Sequence, residues 1–338
     1  MWPNTKIEDY LNKELFSKLK KEDADIYYAL YVSAKKYLCE NIYSEIKVVE
    51  PNLTDHSERH IQNVLEMSWN LISNGNEIDC LEVFEIYLLC ICILFHDVGN
   101  VCGREGHNVK VADIYNTIRG NDISCNQERQ LVLRIVRAHC GTSKRGDKDT
   151  LLDVDVQSHL YGSKIRMREI AAILRFADEL SEGPQRTSQY MFESGKFANA
   201  SLIYHKYASV TQIHIDSGNG RLILTYNIDY PIEDSIDFKE LLRFIYKRII
   251  KLDTETRYCN YYASSLDKLK KTEAAINFTV DGDICDYDLP KICLEDKYSL
   301  VEEDIVNLIN SIKGLDDVDT IAEKLMNIKN CKLEGLYE

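Results

Sequence analysis

Ile86-Tyr-Leu-Leu-Cys-Ile-Cys-Ile-Leu-Phe95 is followed at once by His96-Asp97, and this stretch decides the reading of the chain. Ten uncharged, mostly branched or aromatic residues in a row predict a core helix, because a membrane span needs about 20. The last turn of that helix therefore emerges from the middle of a domain. A carboxylate and an imidazole placed there must be paired or metal-bound, since burying an uncompensated charge is costly. The other histidines favour metal. His56 and His60 precede the doublet at i, i+4 spacing, His107 and His139 follow it, and Asp178 lies in a second apolar helix. The order H…HD…H…H…D is that of a metal site.

This pattern resembles the HD superfamily of metal-dependent phosphohydrolases. The resemblance rests on His60 in Asp55-His-Ser-Glu-Arg-His60, on Phe-His96-Asp97-Val-Gly99, and on Leu-Arg-Phe-Ala-Asp178-Glu-Leu, and it covers roughly residues 50–190. It implies that His60, His96, Asp97 and Asp178 bind a first metal. It further implies that His107 and His139 bind a second, with Asp97 bridging the two ions. Many members carry a lysine two residues after the doublet's glycine-containing turn begins (His-Asp-x-Gly-Lys), where this chain has Asn100. That departure touches a phosphate contact and leaves the ligands intact. His56 matches the spacing of cyclic-nucleotide phosphodiesterases, where the corresponding histidine resembles a general acid.

The chemistry expected of such a set is specific. Imidazole with carboxylate suits one or two divalent ions, whether Mn, Fe, Co, Ni, Zn or Mg. A set without thiolate argues against a structural zinc cage. Two ions can clamp a phosphoryl group and activate water, so the expected substrate is a phosphoester or phosphoanhydride. Basic residues crowd the same region: Arg104, Lys110, Lys144, Arg145, Lys164, Arg166, Arg168, Arg175 and Arg186. Arg104, Lys110 and Arg186 are candidates for substrate phosphate. Arg175, three residues before Asp178 on one helical face, is assigned to catalysis, either salt-bridging the ligand or meeting a phosphate. His159, His205 and His214 fall outside the pattern and read as surface or structural.

Composition sets outer bounds. The 338-residue chain is 45% hydrophobic and has a net charge of −14, which argues against broad capture of a nucleic-acid backbone. Eleven cysteines with no C-x-x-C pair suit a reducing compartment, and the first residues lack a secretory h-region. The expectation is a cytoplasmic protein without a membrane segment.

The expected fold is mainly α: an all-helical bundle over residues 1–190, then a smaller α+β region over 197–338. Helices are predicted twice within 7–47, from Thr54 or Asp55 through the two histidines, over 81–97, from Val111 on, over 130–138 and over 167–180. A loop at 141–155 is placed as a lid. Beyond Gly183-Pro184 the pattern alternates at period two in 208–216 and 221–229, with Ser217-Gly-Asn-Gly220 as the hairpin turn. A helix over 236–252 running on to Tyr262, a strand at 273–281, and helices at 299–313 and 317–328 complete it. The tyrosines at 258, 261 and 262 are read as core, ahead of a base-stacking surface or a subunit contact. The junction sequence Leu174–Thr187 resembles an HD subgroup of bacterial conflict and signalling systems.

Three functions follow from this reading. The first is hydrolysis of a nucleotide: a nucleoside mono- or triphosphate, or a cyclic or oligonucleotide messenger. The second is a single-strand nuclease resembling the HD nucleases of CRISPR interference complexes, which would act on single-stranded nucleic acid. The third is a non-hydrolytic nucleotide sensor or scaffold, and homo-oligomerisation is compatible with each.

Overall fold

The computed structural model describes residues 2–120, 123–188, 190–191, 194–195, 197–231, 237–295 and 304–335. Two compact units divide the chain: Met1–Ser181 with Tyr258–Lys268, and Glu182–Arg257 with Leu269–Glu338. The chain is mainly helical with a small sheet towards its C-terminal part.

The first unit is built around the apolar stretch. It contains α1 (Lys6–Lys18), α2 (Lys21–Asn41), α3 (Tyr43–Val49), α4 (Glu58–Ile72), α5 (Val83–Phe95), α6 (His107–Arg119), α7 (Ile123–Arg137), strands β1 (Ser158–Leu160) and β2 (Ser163–Ile165), and α8 (Met167–Leu180). Every residue of α5 from Phe84 to Phe95 is buried, and α1, α2, α4, α7 and α8 pack around it. Each large aliphatic side chain so buried contributes about 1.5–3 kcal/mol, which offsets the cost of ending this helix in polar groups. The stretch Val83–Cys102 is long and apolar enough to cross a membrane, but 94% of its most apolar window is buried inside the unit. That burial is what a core helix requires.

The ends of α5 are tied down by polar bonds. Glu82 and Glu85 form a reciprocal capping box at its start. Glu85 also accepts from the Arg166 backbone and guanidinium at 2.8 and 2.9 Å, which fixes the entry of α8 against α5. At the far end Tyr43 donates to the Leu94 carbonyl at 2.8 Å, satisfying an acceptor that the helix terminus leaves open.

Several boundaries differ from expectation. The helix carrying His60 begins at Glu58 with Ser57 as N-cap, so His56 precedes it. Asp55 Oδ1 accepts from the Ser57 backbone at 3.1 Å and holds that turn non-helical, as Asp does when it competes for local N–H groups. Helix α5 stops at Phe95, and Val98–Cys102 forms a 3-10 helix. Residues 6–49 fold as three helices instead of two. The unit is also not wholly helical: β1 and β2 pair antiparallel across Tyr161-Gly162, both at positive φ. Tyr161 is held in that strained conformation by donating to the buried Glu128 at 2.6 Å.

In the second unit, α9 (Asn199–Val210) leads into β3 (Thr211–Asp216), which pairs antiparallel with β4 (Arg221–Tyr230). The expected strand at 208–216 thus begins three residues late, because its first residues finish a helix. Strand β5 (Lys271–Val280) runs parallel to β4, and β6 (Asp283–Ile284) and β7 (Ile292–Glu295) pair antiparallel with β5. Leu222, Leu224, Tyr226 and Ile228 are buried at alternate positions of β4, the period of a half-buried strand. Helix α10 (Phe238–Tyr262) carries Phe238 against the rings of Tyr230 and Phe278. Helices α11 (Ile305–Ser311) and α12 (Val318–Gly335) follow. The expected helix starts at 236 and 299–303 lie outside the described residues.

Candidate metal centre

The ligand candidates come from five segments of the first unit. His60 lies in the first turn of α4, His96 caps α5, and Asp97 begins the 3-10 turn. His107 opens α6, His139 follows α7, and Asp178 sits near the end of α8. All meet at one place. His60 Nε2 and His96 Nε2 lie 3.1 and 3.6 Å from Asp178 Oδ1, and 3.5 and 3.4 Å from Asp97 Oδ2. His56 Nε2 is 3.8 Å from that same Oδ2. The other oxygen of Asp97 faces a different pair: Oδ1 is 3.4 Å from His107 Nε2 and 3.7 Å from His139 Nε2.

These separations fit a metal better than they fit hydrogen bonding. Neither His60 Nε2 nor His96 Nε2 forms a hydrogen bond although both are fully buried, and such groups are normally satisfied. Metal–ligand bonds of about 2.0–2.2 Å put neighbouring ligand atoms about 3.0–3.4 Å apart, from right-angled to tetrahedral. Most of the observed distances fall in or just beyond that range.

The ring orientation agrees. His96, His107 and His139 each turn Nδ1 to the carbonyl three residues back: Ile93 at 2.8 Å, Arg104 at 3.0 Å and Val136 at 2.6 Å. With Nδ1–H donated, the lone pair is left on Nε2, the tautomer that ligates metal. His60, His96, Asp97 and Asp178 form one group able to hold an ion, and His107 and His139 form another together with Cys140. The sequence reading missed Cys140, whose Sγ lies 3.6 Å from His107 Nε2. Its only sequence signal is adjacency to His139.

Electrostatics of the cluster favour positive charge at its centre. Burial would raise Asp97, but the imidazoles of His96, His56, His107 and His139 outweigh it and hold the carboxyl well below the usual range. Burial likewise opposes ionisation of Asp178, and His60 and His96 again reverse it. Burial pulls His96 down, yet Asp97 and Asp178 push it up to about 9. His107 and His139 are raised by Asp97 and Cys140 against the same burial. Burial pushes the Cys140 thiol up, and contact with His107 and His139 brings it down to about 6. Two buried carboxylates thus draw positive charge onto their neighbours, and a divalent ion would supply that charge directly. Solvent reaches the cluster from one side: the Asp178 side chain is 24% exposed, against 4% for Asp97 and none for His60.

Glycine 99 explains the Asp-x-Gly spacing. A Cβ there would stand 1.9 Å from the His107 carbonyl oxygen, so only glycine lets α6 begin close enough to bring His107 to Asp97.

A family model, HD-CE, matches residues 50–252, more than half of the 338-residue chain. The chain belongs to the HD-CE family. The HD-CE match contains His56, all six ligand candidates and Cys140. No curated protein and no solved structure matches the chain.

Within this HD-CE protein the phosphate candidates are placed unevenly. Arg104 is exposed and donates to Asn100 Oδ1 at 3.2 Å, so Asn100 anchors an arginine four residues further on. Lys110 donates to the Cys102 carbonyl at 2.8 Å. Arg186 is buried in a 3-10 turn of the second unit. Arg175 donates to Thr150 Oγ1 at 2.8 Å and lies over the Tyr258 ring at 4.6 Å. The expected lid at 141–155 is a structured segment. Thr150 donates to the Ala138 carbonyl at 2.6 Å, and Tyr258 and Tyr262 hold Asp149 at 3.0 and 2.9 Å. Those tyrosines are half-buried and Tyr261 is 82% exposed, which corrects their reading as core; Cys259 occupies the buried position instead. His159 is exposed, and His205 is buried against Phe197 with ring centroids 3.6 Å apart.

Proposed function

We propose that the protein is a metal-dependent phosphohydrolase that cleaves a phosphoester or phosphoanhydride of a nucleotide. The observation that carries this reading is the Asp97 carboxylate, whose two oxygens face two separate imidazole groups. One carboxylate shared in this way suits a pair of ions, and bound ions would supply Lewis acidity at a phosphoryl oxygen and lower the pKa of water. His60, His96, Asp97 and Asp178 would hold the first, and His107, His139 and Asp97 the second.

The chain's own residues do the rest. Nδ1 of His56 donates to the Thr54 carbonyl, which turns Nε2 toward the site. Once doubly protonated, that ring can pass its Nε2 proton to a leaving oxygen. Arg104, exposed and anchored by Asn100, would be the cation to meet a phosphate. Arg175 orders the segment behind His139 through Thr150, so its part is positioning. The nucleotide class rests on the family resemblance and on the expected role in conflict or signalling systems.

Incubation of a nucleotide-pool extract with the protein and Mn²⁺, followed by mass spectrometry, tests this reading, with Asp97→Ala as control. The expected result is loss of one nucleotide with a matched product, absent in the variant. A second reading, single-strand nuclease, is supported by the exposed Tyr261 beside Tyr262, Arg166 and Arg168 around a cavity of about 360 Å³. Aromatic and basic groups together suit stacked bases. Cleavage of single-stranded DNA or RNA with an unchanged nucleotide pool would favour it.

A further inference from the structure

We propose that Cys140 is the thiolate that completes a second metal position with His107, His139 and Asp97 Oδ1, a sulfur-containing site beside the nitrogen-and-oxygen site of His60, His96, Asp97 and Asp178. The inference rests on the metal centre put forward above, though not on what it hydrolyses. Cys140 Sγ is 3.6 Å from His107 Nε2. Bonds of about 2.3 Å to sulfur and about 2.05 Å to imidazole, meeting at a tetrahedral angle, separate the two ligand atoms by about 3.6 Å. The same construction for nitrogen and oxygen gives about 3.4 Å, the His107–Asp97 distance.

The neighbouring side chains leave Cys140 suited to this role. His107 and His139 both spend Nδ1 on backbone carbonyls, so both Nε2 lone pairs are free for a shared ion. The ligand atoms of His107, His139 and Cys140 lie within 4.8 Å of one another. A thiol at such a position ionises on coordination. The two positions then differ in kind. Two nitrogens with two carboxylate oxygens accept hard ions such as Mn²⁺ or Mg²⁺, whereas a thiolate selects Zn²⁺, Fe²⁺ or Co²⁺. The protein would therefore carry a mixed pair in a medium that supplies both classes.

Cobalt titration of the full-length, metal-stripped, reduced protein tests this by absorption alone. The expected spectrum shows visible ligand-field bands and, with the second equivalent, a near-ultraviolet sulfur-to-cobalt charge-transfer band. Cys140→Ser should lose the charge-transfer band and keep the ligand-field bands of the first position, which also shows that it folds. Cys140→His should regain the second equivalent without the sulfur band, and Cys102→Ser should behave as wild type. Two bound equivalents without a sulfur band overturn the proposal, as does a band that survives Cys140→Ser. Absence of any Asp97-dependent cobalt binding would instead remove the metal centre itself.

Discussion

Among the described residues, Asp97 is the one whose two side-chain oxygens face both groups of imidazoles, so its loss should be felt twice. Asp97→Ala is expected to abolish binding at both positions, whereas His107→Ala should spare the first. Metal analysis of the dialysed variants measures this directly, and equal retention in both would contradict the bridging role. Gly99 makes a prediction of another kind. A methyl group there meets a carbonyl oxygen at 1.9 Å, and relief requires α6 to move. Gly99→Ala should cost about 1–3 kcal/mol in thermal unfolding and reduce occupancy of the position built on His107 before that built on His60. At this scale the sequence was informative where chemistry is carried by residue type: His60, His96, Asp97, His107, His139 and Asp178 converge as their order implied. Cys140 was illegible because a thiol in a cysteine-rich chain reads as a small apolar side chain. Only folding brings it to His107, 33 residues away.

At the scale of elements, buried polar bonds fix how helices deliver these residues. Glu128 on α7 accepts from Tyr87 on α5 at 3.0 Å and Tyr115 on α6 at 2.6 Å, and pairs with Arg119 at 2.7 Å. Both members of that ion pair are almost wholly buried. Removing one side leaves an uncompensated charge, so Glu128→Ala should destabilise by about 3–5 kcal/mol, read as a lowered Tm. Metal stoichiometry of the protein that remains folded should be unchanged; a stable variant would show the cluster to be dispensable. Thr150→Val removes the link between Arg175 and the Ala138 carbonyl, two bonds at about 0.5–1.5 kcal/mol each. Helix positions were legible wherever an apolar stripe ran long, as in α5 and α8. They failed at short turns, where Asp55 and Ser57 displaced a helix start and Tyr161-Gly162 closed a hairpin. The hairpin depends on a partner distant in sequence, Tyr161 with Glu128, and the helix start on a local bond from Ser57 to Asp55 that competes with the helical pattern.

For the whole molecule, stability and metal loading should be linked. Without a divalent ion, His96 is held near 9, above the ordinary 6.5. A raised imidazole contributes stability that is complete below pH 6.5 and is lost as pH rises through 9. Asp97 and Asp178, held low, contribute stability above the ordinary 3.8 that is lost as pH falls. The Tm of chelator-treated protein should therefore decline from pH 6.5 to 9. Metal-loaded protein should resist that decline, because an ion binds more tightly as competing protons leave. Saturation at about 100 times the dissociation constant adds about 2.7 kcal/mol. A chelated protein with level Tm over this window would contradict the charge balance described for the cluster.

Three of the imidazoles take their orientation from a carbonyl one turn back on their own backbone. Their aim is thus written into helix ends that the apolar core already holds, not into the ion they receive. Such a centre should empty and refill without the chain coming apart. Within the class of ion that each set of ligands accepts, the occupant would then follow supply, and could be exchanged throughout the protein's lifetime as that supply changes.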